Sequence, residues 1–397
     1  MTENKRAEKE LKHNLRFVQP LLRLLGIWPL SDTATLPSKI LQRFTVFTVC
    51  CLQLLLLVPS IQYIILIEKN GKRKLKLALP LLNTISQTFK YIILLYRANE
   101  FKKALDEMRN DWLNVTDENR KILRDKSKKA HIISTTMIIG MYTSGLTYRI
   151  GIPLSKGIIL LPNNTTMRLL PSPSYFVFNE QLTPIYEIVF TLQVIAGFSI
   201  YTIICGSIGI IMMLCLHICG LLRILVNKLI DFTVDEETDE EIVQKKLVNI
   251  VQYQIKIKRF LNNIESITQY ICFFEICTNT ILLSAVGYFV IMEWMDRNVM
   301  ASIVYTVLAM TYSLSTFAIC YIGQQLLDKS NDVQRTCITL SWYHLPKKKA
   351  RSVLMIIITS NKLLKLTGGK VVDMSLATFT DIMKTTVGYL NILRKVF

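Results

Sequence analysis

FAICYIGQQLLDKSNDVQ (317–334), SWYHLP (341–346) and FTDIMKTTVGYLNILRK (379–395) close the chain, and the last of them decides how the rest is read. The segment 376–397 is long enough to cross about 30 Å of hydrocarbon. Yet it carries Asp381, Lys384, Asn391 and several hydroxyls. A crossing helix with a polar stripe faces protein or water rather than lipid. At spacings of three and four, one face reads Thr378, Asp381, Thr385, Gly388, Ile392 and Lys395. That face is mostly polar and is interrupted by one bulky apolar residue a turn before the end. Periodicity fits two arrangements. The stripe is either a small, polar face packed on neighbouring helices, or the wall of a wet path whose apolar constriction gates by dewetting. Lys384 and Asn391 add polarity on a second face.

Working back from this end, apolar runs near twenty residues long recur at 44–67, 75–97, 130–152, 184–217, 270–292 and 300–322, making seven crossings with 376–397. The 397 residues have 51% hydrophobic and 19% charged content, with a mean hydropathy of +0.35. This is an integral membrane composition rather than that of a soluble domain. The fourth run is too long for one crossing and is expected to continue as helix into the cytosol. SVLMIIITSNKLLKL (352–366) is too short in its apolar core to cross, and Gly368-Gly369 predicts a break before the last helix. LRFVQPLLRLLGIWPL (15–30) is interrupted by Arg16, Pro20, Arg23 and Pro29, which predicts an interfacial or re-entrant segment. Met1 to Arg16 is polar, so no secretory signal is expected.

The formal net charge of +18 would suggest nucleic acid in a soluble protein, but here the basic residues sit in the links. The links 1–43, 97–129, 220–270 and 323–351 hold 31 Lys and Arg, against 11 in the alternate set. The positive-inside tendency places the N-terminus in the cytosol and, after seven crossings, the C-terminus outside. Link 68–76, with Lys69, Lys72, Arg73, Lys74 and Lys76, votes the other way. Two overlapping sequons at Asn163 and Asn164 fall in a link counted as external, whereas Asn114-Val115-Thr116 falls on the cytosolic side and should stay bare. The acidic run 231–241 reads as a solvated loop.

Catalytic signatures such as HExxH, GxSxG and paired CxxC are absent from the sequence, and the four histidines (His13, His131, His217 and His344) are scattered. No enzymatic activity, metal or cofactor is expected. Thr367 to Lys370 resembles a phosphate loop only faintly, and the helix break accounts for it better. Eight of the nine cysteines lie in apolar runs, so no disulfide framework is expected. Cys215, His217 and Cys219 read as packing rather than a zinc site, since no second ligand pair accompanies them. No internal repeat is evident, which weighs against paired-half transporters.

The residues of the last eighty positions resemble those of the insect odorant receptor family. The pattern appears as Cys320, Gly323, Ser330, Val333 and Trp342, closed by Tyr343 and Leu345-Pro346. It continues as Leu366, Gly369, Phe379, Lys384, Thr385, Tyr389 and Leu393. Gly26-Ile27-Trp28-Pro29 and Asp111-Trp112 extend the resemblance toward the N-terminus. Departures occur at Leu363, Val387-Gly388, Asn391 and Gln254.

The resemblance implies an all-α membrane protein with seven transmembrane helices, a cytosolic N-terminus and an extracellular C-terminus. The 397 residues would form one domain. It would comprise a cytosolic N-terminus with a short re-entrant segment (1–43), a six-helix ligand-binding bundle (44–322), a cytosolic anchor (323–366) and a pore helix (376–397). The implied function is the odorant-binding subunit of an odorant-gated, non-selective cation channel in the plasma membrane of olfactory sensory neurons. Its implied partners are shared co-receptor subunits in a heterotetramer, a volatile apolar ligand and membrane lipid, with no nucleic acid. By position, Thr385, Gly388, Ile392 and Lys395 would line the pore, with Ile392 at the gate and Lys395 at the outer mouth. Cys320, Gly323, Ser330, Trp342 and Tyr343 would belong to the subunit anchor. The family's pocket position implies Phe89, Tyr142, Leu146, Tyr186, Phe190, Tyr305, Leu308 and Tyr312 as ligand contacts, the last three on one helical face. A receptor signalling through G proteins is the alternative, and it requires an external N-terminus.

Overall fold

The computed structural model describes residues 2–30, 34–151, 153–154, 157–160, 166–234, 240–339 and 347–396. Two short helices, α1 (Thr2–Leu15) and α2 (Val18–Leu24), precede the long ones. These are α3 (Leu36–Gln62), α4 (Gly71–Tyr96), α6 (Asp117–Leu146), α7 (Ile185–Val234), α8 (Glu240–Met295), α9 (Val299–Thr339) and α11 (Leu376–Val396). Shorter helices, α5 (Ala98–Asn114) and α10 (Lys347–Ser360), lie in the links. One π-helical turn follows α3 (Tyr63–Ile67) and another follows α6 (Thr147–Gly151). The expected crossings fall one to a long helix. The protein is an all-α membrane protein with seven spanning helices.

Local chemistry sets several of the boundaries. Asn70 caps α4 by accepting from the Lys72 backbone N–H at 3.0 Å. A proline in the first turn and the Ser38 hydroxyl, bonded to the Thr35 carbonyl at 2.6 Å, start α3. Four described helices, α3, α7, α8 and α9, are long and apolar enough to cross by themselves. α4, α6 and α11 are not, because Lys90, the charged first half of α6, and Asp381 with Lys384 dilute their apolar character. Such helices cross only with neighbours that receive their polar groups.

α7 is the axle of the bundle. Its apolar window is 94% buried, against 28% for α3. A helix apolar on all sides belongs inside, and α7 touches α2, α3, α4, α5, α6, α8 and α9. At 1.5 Å per residue its 50 residues run about 75 Å, far beyond one bilayer core. α8 and α9, with 56 and 41 residues, overrun it likewise. α3 instead exposes Leu36, Ile40, Phe44 and Phe47, a lipid-facing surface that would be a liability in water.

The segment expected to be interfacial or re-entrant wedges one face into the bundle, while Arg16, Pro20, Arg23 and Leu24 stay exposed. Val18 of α2 lies against Gly209 of α7, where an added Cβ would stand 2.9 Å from it, and Leu22 lies against Gly206. Leu22, Leu25 and Ile27 are buried. Gly26 takes φ +69°, and its carbonyl accepts from Gln42 Nε2 at 2.9 Å. The Tyr91 hydroxyl donates to the Leu25 carbonyl at 2.8 Å. Near the C-terminus the expected break is a hairpin, β3 (Thr367–Gly368) paired antiparallel with β4 (Val372–Asp373). Gly369, at φ +60°, bonds through its N–H to the Gln269 carbonyl of α8 at 2.9 Å. This hairpin contains the Thr367–Lys370 motif.

Candidate functional site

An aromatic cluster forms at the end of the bundle where α6 and α9 meet the start of α7. Tyr305 is buried and stacks on Phe289 of α8 at 5.6 Å between centroids. Leu308 and Tyr312 pack against the same group. Tyr142 stacks on Phe198 of α7 at 5.9 Å, and its hydroxyl bonds to Thr202 at 2.7 Å. Tyr201 joins the two halves, with its ring 6.5 Å from that of Tyr142 and near enough to Tyr312 to interact electrostatically. The Lys76 ammonium covers the cluster, 5.3 Å from the Tyr305 ring, and pairs with Glu293 at 2.6 Å. Aromatic walls with a few hydroxyls bind small apolar molecules and orient them.

The remaining expected ligand contacts lie apart from this cluster. Tyr186 and Phe190 form a second aromatic pair, 5.9 Å between centroids, at the start of α7. The Tyr186 hydroxyl is bonded to the Leu169 carbonyl, and Arg168 covers the ring. Beside it, β1 (Ile158–Leu160) pairs with β2 (Thr166–Arg168). Phe89 stacks on Phe274 on an exposed face of α4, and Leu146 is exposed on α6.

Sequence reasoning missed two ionic features. Lys90 is wholly buried and pairs with Glu275, itself 2% exposed, joining α4 to α8. Gln87 at 3.3 Å, Asn279 at 3.0 Å and the Ser315 hydroxyl of α9 complete the network. Both charges stand inside apolar runs, and that was the available signal, since intramembrane ionisable residues are rarely incidental. The second feature is Arg149, counted in the sequence merely as a link charge. Its guanidinium lies 5.9 Å from the centroid of the Tyr201 ring.

α11 presents two unlike faces. Ile382 and Thr386 are buried, and Phe379, Met383, Leu390 and Leu393 are partly buried, where the helix packs on α8 and α9. Asp381, Thr385, Gly388, Ile392 and Lys395 are exposed, with Ile392 at 56%. Nothing approaches within 4 Å of where a Cβ on Gly388 would be. Within the stripe read from the sequence, Thr378 donates to the Asp373 carbonyl at 2.6 Å, Thr385 donates to the Asp381 carbonyl at 2.8 Å, and the Asp381 carboxylate lies 3.9 Å from the Lys384 ammonium.

The residues expected at a subunit anchor are, in the described range, placed as follows. Cys320 is buried in α9. At Gly323 an added Cβ would overlap the Met374 carbonyl, so glycine lets the link into α11 lie on α9. Ser330 accepts from the Leu364 backbone N–H at 2.8 Å. Gln254 bridges α8 to α10 through Ser360 at 3.0 Å and Thr359 at 3.1 Å. Trp342, Tyr343, Asn163 and Asn164 lie outside the described residues.

Asp111 and Trp112 are both buried. Asp111 bonds to His217 Nε2 at 3.1 Å and to the Lys256 ammonium, tying α5 to α7 and α8. Burial alone would raise its carboxyl, but the hydrogen bonds and charges of His217 and Lys256 outweigh that and hold it below its ordinary value. Burial, with Asp111 close by, raises neighbouring Glu107.

Residues 75–387 match the family model described as 7tm Odorant receptor. The chain is 22% identical over 273 residues to Odorant receptor 82a of Drosophila melanogaster, covering 68% of this chain and 69% of that one. It is 24% identical to Odorant receptor 63a of the same species, covering 57% and 55%. It is 22% identical to Odorant receptor 10 of Aedes albopictus, covering 38% and 40%. Among solved structures it is similar to the insect olfactory receptor OR5 from Machilis hrabei in complex with eugenol. There the TM-score is 0.77 at 12% identity, over 97% of this chain and 99% of that one. A second structure of the insect olfactory receptor OR5 from Machilis hrabei gives a TM-score of 0.77 at 14% identity, over 98% of this chain and 99% of that one.

Proposed function

Because this chain belongs to the 7tm odorant receptor family, we propose that it is the odorant-binding subunit of a heteromeric, odorant-gated, non-selective cation channel. The observation that carries the reading is the division of α11 into a packed face and an exposed polar stripe. Asp381 and Lys395 in hydrocarbon would be costly, so the stripe requires water or a partner subunit. Arranged around an axis, Thr385 and Gly388 line the path and Ile392 forms its apolar constriction. Lys395 is a cation at the mouth of a cation pore. Its repulsion is lessened when the other subunits supply neutral residues, which favours a heterotetramer with co-receptor subunits over four copies of this chain.

In this reading 44–322 is the ligand-binding bundle, 323–366 the cytosolic anchor and 376–397 the pore helix. The N-terminal 1–43 is cytosolic, with 15–30 wedging one face into the bundle. Tyr142, Tyr305, Leu308 and Tyr312 contact the ligand. Tyr186 and Phe190 stand at the rim, while Phe89 and Leu146 would act only after a rearrangement of the bundle. Trp342 and Tyr343 serve subunit contact, and Asn163 or Asn164 carries a glycan outside. The setting is the plasma membrane of olfactory neurons. The G-protein alternative needs an external N-terminus, against the charge distribution and the sequon.

Co-expression with the co-receptor in cultured cells should give odour-evoked cation currents whose ion selectivity changes on Ile392→Ala. Silence across a broad odour panel, with the chain at the cell surface, would overturn the reading. An N-terminal tag should be reached by antibody only after permeabilisation.

A further inference from the structure

Arg149 is not accounted for by packing. It is 5% exposed, and its Nε and Nη1 are buried with no hydrogen-bond partner among the described residues. A guanidinium stays charged at any physiological pH, and burying such a charge unpaired is strongly unfavourable. No carboxylate is paired with it among the described residues, and those on the helices around the cluster are engaged. Glu293 binds Lys76 at 2.6 Å and Asn298 at 2.7 Å, and Glu187 binds Arg168 at 3.2 Å. Residues 147–179 contain no Asp or Glu, so the undescribed part of that link supplies none either.

The surroundings make room for this side chain. At Gly197 of α7 an added Cβ would overlap the Arg149 side chain, and at Gly145 of α6 one would overlap the Tyr201 ring. Two small residues thus admit one arginine and one tyrosine to the same place. Tyr148 and Tyr312 lie within electrostatic reach of the guanidinium, and Tyr305 within reach of Tyr148. The result is an aromatic wall with a single unmet cation at one edge.

We propose that Arg149 receives the carboxylate of a small apolar acid whose body lies among Tyr148, Tyr201, Tyr305 and Tyr312. This rests on the odorant-binding reading and names the ligand class of that site. An ester or alcohol with the same body leaves the guanidinium partly unmet and binds more weakly, because a site built for a charged acceptor rejects analogues lacking it.

The test uses three ligand bodies, as benzoate, phenylacetate and octanoate, each against its methyl ester and alcohol. Currents are recorded from cells co-expressing this chain and the co-receptor, and binding is measured in parallel by fluorescence on the purified chain in detergent. At least one acid should act at a concentration about tenfold or more below its ester and alcohol. Arg149→Gln should remove that advantage and leave neutral ligands within about twofold, while Arg149→Lys should keep part of it. Gly197→Ala, which retains the charge but displaces it, should also weaken the acid selectively. Unchanged neutral responses exclude misfolding as the cause. If currents answer esters and alcohols and no acid is preferred in either assay, the inference falls and the channel reading stands. If the purified chain binds an acid through Arg149 but no ligand evokes current, the channel reading falls and the inference stands. An equal shift for all ligands in Arg149→Gln also overturns it.

Discussion

Two buried cations in one bundle receive opposite treatment. Lys90 is surrounded by Glu275, Gln87 and, through the carboxylate, Asn279 and Ser315, each placed by a different turn of α4, α8 or α9. Arg149 is nearly as deep, yet two of its nitrogens find no hydrogen-bond partner among the described residues. A satisfied buried charge joins helices and specifies their register. An unsatisfied one holds recognition capacity in reserve, and it is tolerated where something else will arrive to complete it. The first holds the fold together; the second is the one we propose a ligand completes.

The comparison breaks most sharply at Lys90. Lys90→Met leaves Glu275 buried and unpaired, and should cost about 3–5 kcal/mol, read as lost surface expression and lower melting in detergent. Joining it to Glu275→Leu should recover most of that loss, because an apolar pair of similar volume replaces the ions. A double variant as unstable as the single one would show that the network, not the pair, holds the helices.

Next in size is the tie between α5, α7 and α8. Asp111→Asn should cost about 2 kcal/mol by weakening the bonds to His217 and Lys256. Asp111 lies below its ordinary value, so folding favours its ionised form. Its stabilisation is complete above the unfolded carboxylate pKa and disappears as pH falls through the lowered folded value. The Asn variant should therefore lose that acid-side dependence in a melting series.

At Arg149 the expected effect on stability is small and opposite in sign. Arg149→Met removes an unmet charge and should leave melting unchanged or raise it slightly. A loss as large as that of Lys90→Met would mean Arg149 is structural after all. Smallest of all is Ile392. On an exposed face, Ile392→Ala should shift stability by less than about 0.5 kcal/mol while altering conduction.

How much of this was legible in the sequence depends on range. Seven crossings, the overlong fourth helix and the break at Gly368-Gly369 follow from length, apolarity and glycine, which are local properties. The stripe on α11 was also local, since helical spacing alone assembles Asp381, Thr385, Gly388 and Ile392. What escaped was whatever depends on which helix lies beside which. Gly206 and Gly209 carry no mark saying that α2 wedges against them, so for 15–30 the sequence left interfacial and re-entrant placements open. Likewise nothing local in the sequence says that Gly323 lies against Met374 or that Ser330 accepts from Leu364, contacts these residues make within their own chain. Phe89 and Leu146 have the expected chemistry, and the sequence alone does not tell that both are exposed in the single chain. Arg149 was hidden among the link charges, because a charge near a helix end is ordinarily solvated.

Cysteine accessibility along α11, in the chain co-expressed with the co-receptor, is the most direct test of a pore built from its exposed stripe. Gly388→Cys and Ile392→Cys should be modified by a membrane-impermeant thiol reagent during ligand-evoked current, and the current should fall. Thr386→Cys, on the buried face, should respond no more than the native chain with its own nine cysteines. Equal modification of both faces, or none on the stripe while current flows, would contradict a pore lined by α11.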